Sequence, residues 1–211
     1  MALADWETYV GNATVNLDTL NTIIGSSSLR IIGTSGASGG IVNILPSRAS
    51  LRPHALTRGK LRTLIKPVVL GTQSQAGISC LQSLRDIRNF GFFYIAQTDH
   101  LSNSILLGKG SSGLDSATTT LGSSSYTMVA GTTFALELQW EVLIDEINGV
   151  DLVVRLGALT DFSDLTDIIH YIDVSSPNTI SRGEGIMYNT GATVSNNIEF
   201  RYDQTSLYRI L

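Results

Sequence analysis

Charge is scarce in this chain: 15% of its residues are charged against 43% hydrophobic, and Ser, Thr, Gly and Asn fill much of the rest. Such a low-charge, turn-rich composition is common in proteins that assemble or act outside cells. There is one cysteine, Cys80, so no intramolecular disulfide can form. Its place in the apolar-flanked run 77–81 predicts a small buried hydrophobe, and stability must come from packing. No apolar run approaches the ~20 residues that a membrane-crossing helix needs, so no membrane role is expected. Residues 1–5 lack the basic-then-apolar pattern of a secretory signal, which predicts synthesis and folding in the cytoplasm. Neither an internal repeat nor a Pro- or Gly-rich linker divides the 211 residues. The expected organisation is a short arm over 1–13 followed by one domain over 14–211.

Acidic residues are missing from one long stretch. Between Thr19 and Arg85 there are eight bases and no acid, whereas residues 86–211 hold 15 acids and six bases, within a net charge of −4. One reading is a basic face or loop that meets an acidic partner, including another copy of the chain. The other is that strands from both segments interleave and their charges mix. Arg48, Arg52, Arg58 and Lys60, around Pro53 and His54, are the candidate partner contacts. Nucleic acid is not expected, because this basic segment has no interleaved aromatics and the chain as a whole is acidic.

What the sequence has in abundance is alternation. Phe134, Leu136, Leu138, Trp140 and Val142 fall on one side of an extended strand, and Glu137, Gln139 and Glu141 on the other. Asn148-Gly149 predicts a two-residue type I′ turn, after which Leu152, Val154 and Leu156 restore the apolar face. Further short strands are predicted over 14–17, 28–32, 40–45, 59–69, 77–82, 90–97, 104–108, 118–121, 168–173, 185–188, 198–203 and 207–210, with the hairpin arms at 134–147 and 150–159. Gly- and Ser-rich segments at 25–28, 34–40 and 109–113 have turn composition. The four prolines fall near strand ends or in loops. Helix is expected only over 81–89, where Leu81, Leu84 and Ile87 repeat every three residues, with a turn within 160–167. Residues 3–10 read as a turn of helix or an extended arm. This pattern predicts an all-β, two-sheet antiparallel jelly-roll sandwich.

Three segments resemble the concanavalin A-like lectin and glucanase superfamily, which includes laminin-G-like modules. They are the opening stretch 6–32 with Trp6 and Gly25-Ser-Ser-Ser-Leu-Arg-Ile-Ile32, the hairpin 134–156, and the closing stretch 198–208. The short Ser/Thr/Gly-rich chain with an aromatic N-terminal arm is also similar in style to bacteriophage virion proteins. That likeness implies a non-enzymatic structural component of a virion, a capsid decoration or tail module that forms a homo-oligomer with other virion proteins as partners. The superfamily resemblance implies the alternative, a carbohydrate-binding module for host surface glycans, and after it a glycoside hydrolase. Trp6, Tyr9, Tyr94, Tyr126, Trp140, Tyr188 and Tyr208 are the aromatics open to sugar stacking; Tyr126, in a Ser-rich loop, is the candidate exposed glycan contact, whereas Trp140 belongs to the core row.

Related glucanases place two carboxylates on one strand face, and retaining hydrolysis needs them ~5.5 Å apart. Here Glu141 and Asp145 are four residues apart, Leu143 stands where a middle acid belongs, and Gln139 cannot act as one. A solvated polar face is expected instead, with no catalytic residues. Asp161, Asp164 and Asp167 recur every three residues, a spacing open to a calcium site or a capped turn, without the ligand order of an EF-hand. His54, His100 and His170 are too dispersed for zinc, and His170 is expected to be a hydrogen-bonded core residue. The segment 33–40 superficially resembles a phosphate-cradling loop, but no Lys or helix follows it. No cofactor or metal is predicted.

Overall fold

A computed structural model describes residues 6–10, 13–33, 41–46, 57–71, 73–81, 84–86, 89–90, 93–110, 119–143, 147–177, 179, 185–189 and 198–210. The first eight strands are β1 (Trp6–Val10), β2 (Ala13–Asp18), β3 (Ser28–Gly33), β4 (Ile41–Pro46), β5 (Arg58–Val69), β6 (Gln75–Cys80), β7 (Leu84–Asp86) and β8 (Asn89–Phe90). The second eight are β9 (Phe93–Asp99), β10 (Ser104–Gly110), β11 (Thr119–Ser125), β12 (Phe134–Leu143), β13 (Gly149–Gly157), β14 (Thr166–Asp173), β15 (Gly185–Asn189) and β16 (Ile198–Arg209). Sheet 1 runs β1-β4-β15-β6-β9-β10-β11 and sheet 2 runs β14-β13-β12-β5-β16-β3-β2, every pairing antiparallel. The fold is the expected all-β sandwich.

Both sheets turn their apolar rows onto one core. Ile78, Tyr94, Ala96, Ile105, Leu107 and Ile186 come from sheet 1, while Leu29, Ile31, Leu61, Leu138, Trp140 and Phe200 are among those from sheet 2. Trp140 lies opposite Gly59 on β5, and a Cβ there would sit 2.6 Å from the ring. The glycine is therefore needed by the tryptophan. A polar bolt also joins the sheets. Asp173 of β14, 1% exposed, accepts the Tyr94 hydroxyl at 2.6 Å and the Lys109 ammonium at 2.6 Å, both from sheet 1. Cys80 is buried, as its apolar setting predicts.

Several local expectations are corrected. Of the two readings of residues 3–10, residues 6–10 take the extended one, as an edge strand paired with β4. Within 81–89 the described residues are not helical: Leu84 and Asp86 pair with Phe90 and Asn89 as antiparallel strands. Leu143 faces Gly149, so Asn148-Gly149 is not a two-residue turn between the two strands. Only Asn148 takes a positive φ, of 47°; Gly149 is small because a Cβ there would come within 3.1 Å of the Asp173 carbonyl. Pro67 lies inside β5, opposite Phe200 at a register shift of β16, where its missing N–H costs little and its carbonyl accepts Gly131 N–H at 2.7 Å. The turn expected within 160–167 is present.

Candidate functional site: the outward face of sheet 2

The side chains of sheet 2 that point away from the core form two charged blocks. The first is built on β12. Glu137 lies between Arg155 of β13 and Arg62 of β5 in register, and Gln139 stands opposite Lys60. Arg155 Nη1 donates to Glu137 Oε1 at 2.7 Å and to Gln139 Oε1 at 2.8 Å, while its Nε donates to Asp167. The Lys60 ammonium takes the other side of Glu137 at 3.4 Å, and Arg58 reaches Glu141 at 3.2 Å. Burial opposes the Arg155 charge, but its bonds to Glu137 and Asp167 outweigh that and raise its pKa.

An aromatic stack closes this block. The Arg62 guanidinium lies 4.4 Å from the Phe162 ring centre and 4.5 Å from that of Tyr208, its Nη2 donates to the Tyr208 hydroxyl, and Lys60 also stands over Tyr208. Planar guanidinium against aromatic faces is a favourable arrangement. Phe162 reaches it from the 158–165 loop at a φ of 64°. With Leu64, Ala135, Ile23, Ile24 and Leu165 it makes a small apolar cap on the outward surface. Asp164 holds that loop by accepting Ala158 and Leu159 N–H groups, and Asp203 holds the 19–27 loop by accepting Ile24 N–H and the Ser28 hydroxyl.

The second block crosses β2, β3, β16 and β5. Asn16, Arg30, Arg201 and Lys66 are consecutive register partners on those four strands. Glu199 accepts Arg30 at 2.7 Å and Arg201 at 2.8 Å, and Asp18 forms an ion pair with Arg201 at 3.1 Å. The hydrogen bond from Arg30, aided by both guanidinium charges, lowers the Glu199 pKa against its burial. For Asp18, the backbone N–H groups of Asn21 and Leu20 do most of the lowering.

The candidates from sequence divide on this face. Arg58 and Lys60 are paired with carboxylates of β12, and Arg30 with one of β16, so at these positions the basic and acidic segments interleave and their charges mix. Arg48, Arg52 and His54 lie outside the described residues, as do Asp145 and the segment 34–40. Tyr126 is not a free platform: half-buried, it packs on Phe134 with ring centres 5.2 Å apart, and burial pushes its hydroxyl pKa up to about 12. His170 is not a core residue either. Its side chain is 60% exposed and meets Asp151 at 2.7 Å. The three aspartates diverge in role: Asp161 accepts from Ser163, Asp164 caps the loop and Asp167 pairs with Arg155. Among the described residues no cluster of His, Cys, Asp and Glu could hold a metal.

Glu137 and Glu141 do share the outward face, with Gln139 between them. Four residues along a strand is roughly 13 Å, beyond both the ~5.5 Å of retaining and the ~6.5–9.5 Å of inverting glycosidases. Both acids are also held by cations. Sequence reading missed Arg62, Arg155 and Phe162, and preferred Tyr126 to Tyr208 as the sugar-stacking aromatic. The one signal available was the period-two row Arg58, Lys60, Arg62, which complements the acidic row of β12.

No protein-family model matches the sequence, and no curated protein does. Solved structures match in fold. The carbohydrate-binding module CBM66 from Bacillus subtilis aligns over 96% of this chain and 94% of its own at 14% identity, with a TM-score of 0.57. The legume lectin-like domain from Entamoeba histolytica aligns over 99% and 91% at 12% identity and a TM-score of 0.54. The marine PL-14 alginate lyase from Aplysia kurodai aligns over 95% and 90% at 8% identity and a TM-score of 0.65. At these identities the likeness shows the fold, a jelly-roll sandwich of the kind found in lectins and carbohydrate-binding domains.

Proposed function

We propose that this chain is a non-hydrolytic glycan-binding module whose contact surface is the outward face of sheet 2 around Tyr208. The carrying observation is the joint placement there of an aromatic ring, held by Arg62 and Lys60, and the partly exposed hydrogen-bonding groups of Gln139 and Arg155. A saccharide presents both an apolar ring face and hydroxyls that donate and accept. Recognition of such a ligand needs apolar surface with a few fixed polar groups, and this surface supplies both. The names of two solved neighbours, a carbohydrate-binding module and a legume lectin-like domain, agree with it. The virion role and the homo-oligomer expected from loop composition have no comparable support, so the glycan reading takes precedence.

The test is a glycan array probed with the wild type and with Tyr208→Ala. Binding should be present in the wild type and reduced at least tenfold in the variant, the equivalent of about 1.4 kcal/mol, while thermal unfolding stays close to wild type. A wild type that binds no glycan on a broad array, or a variant that binds undiminished, would defeat the reading.

A further inference from the structure

The second charged block has more positive charge than its partners neutralise. Arg30, Arg201 and Lys66 stand side by side on β3, β16 and β5. Like charges directly opposite one another across strands are destabilising unless compensated. Glu199 and Asp18 supply two carboxylates, both spent on the arginines. The half-buried Lys66 has no ion pair or hydrogen bond from its ammonium among the described residues. The arginines themselves are incompletely satisfied: Arg30 Nε and Arg201 Nε are buried without a partner, and Arg201 as a whole is only 8% exposed. Beside them on β2, Asn16 Oδ1 is also buried without a partner. The row therefore holds unused donors of positive charge next to one unused acceptor, and it is open to solvent at Arg30, whose side chain is 32% exposed.

From this juxtaposition we propose that Lys66, Arg201, Arg30 and Asn16 form a subsite for an acidic saccharide, a deepening that rests on the glycan-binding reading above. The sugar's carboxylate or sulfate lies against Lys66 and the guanidinium edges, where charge-assisted hydrogen bonds are strongest. A neighbouring hydroxyl donates to Asn16 Oδ1. Three strand spacings separate Asn16 from Lys66, roughly 14 Å, so the row spans more than one sugar unit. Glu199 and Asp18 at the same place disfavour a dense polyanion such as nucleic acid. A ligand with isolated acidic groups among hydroxyls fits both the excess cation and the buried acceptor.

Calorimetric titration with oligogalacturonate and its methyl ester separates charge from sugar skeleton, with chondroitin sulfate as a sulfated arm. The wild type should bind an acidic form about tenfold tighter than the neutral ester, the size of one charge-assisted hydrogen bond. Lys66→Gln should erase that preference and leave the ester affinity unchanged. If neutral and acidic glycans bind alike, or Lys66→Gln keeps the preference, the subsite is wrong while the glycan reading stands. If no glycan binds, the glycan reading and this deepening of it fail together. Duplex DNA binding that depends on Lys66 and exceeds acidic-glycan binding would also overturn the subsite. Arginine Nε resonances give a second readout: oligogalacturonate should move those of Arg30 and Arg201 in the wild type, and unmoved resonances would overturn it.

Discussion

Trp140 and Glu137 lie three residues apart on β12, one 0% and the other 2% exposed, yet different forces hold them inside. Trp140 points inward, where the core of both sheets surrounds it and Gly59 leaves room for its ring. Its burial is favourable on its own account. Glu137 points outward, and removing a carboxylate from water is costly unless partners replace the water. Arg155 and Lys60 do so from the two flanking strands. Burial of an apolar side chain is thus a property of its own strand, whereas burial of a charge is a property of its neighbours. The same contrast separates the two blocks of the outward face: around Glu137 each cation has a partner, and around Arg201 one cation has none among the described residues.

The strongest way to sharpen that comparison is to delete the inward member. Trp140→Ala should cost about 3–5 kcal/mol, because the cavity forms at the centre of a packed sandwich and Gly59 cannot fill it. Equilibrium denaturation measures this directly. A loss under about 1 kcal/mol would mean that the ring contributes little to the core and that the two faces of β12 do not differ as described.

Deleting the outward member should cost less and, unlike the first loss, should be recoverable. Glu137→Leu leaves the Arg155 and Lys60 charges without their shared partner, a penalty of about 2–3 kcal/mol given that both cations keep some solvent. Adding Arg155→Met to that variant should restore a large part of the loss, since apolar replacement of a whole ion-paired group is often neutral. A double-mutant cycle reads the coupling. Strictly additive losses would show that the pairing seen across β12 and β13 carries no energy.

How much of this was legible in the sequence follows the same division. The inward row of β12, its return on β13 and the burial of Cys80 could be read from alternation and apolar flanks, because each depends on residues next to it in the chain. Leu81, Leu84 and Ile87 misled, since a spacing of three is shared by helices and by short irregular strand pairs. Tyr126 was misjudged because its Ser-rich flanks describe its chain neighbours, whereas its ring packs on Phe134. Each charged row could be seen, but not which rows would meet. Glu137 facing Lys60 and Arg155, or Lys66 standing beside Arg201, depends on strand order in sheet 2. That order brings Lys66 beside Arg201 from the far end of the chain.

The smallest effect belongs to the outermost pair of the same row. Glu141 and Arg58 meet at 3.2 Å with both side chains more than a third exposed, so water already solvates them and little is gained by pairing. Glu141→Gln should change stability by less than about 1 kcal/mol, the usual range for exposed ion pairs. What difference there is should fade at about 1 M salt, where the Debye length falls to ~3 Å. The substitution should also leave polysaccharides as intact as the wild type leaves them, because the acid is paired with Arg58 and stands roughly 13 Å along the strand from Glu137. A cost above about 1.5 kcal/mol would place Glu141 with Glu137 among the buried charges, and hydrolysis by the wild type that vanishes in the variant would make this row a catalytic one.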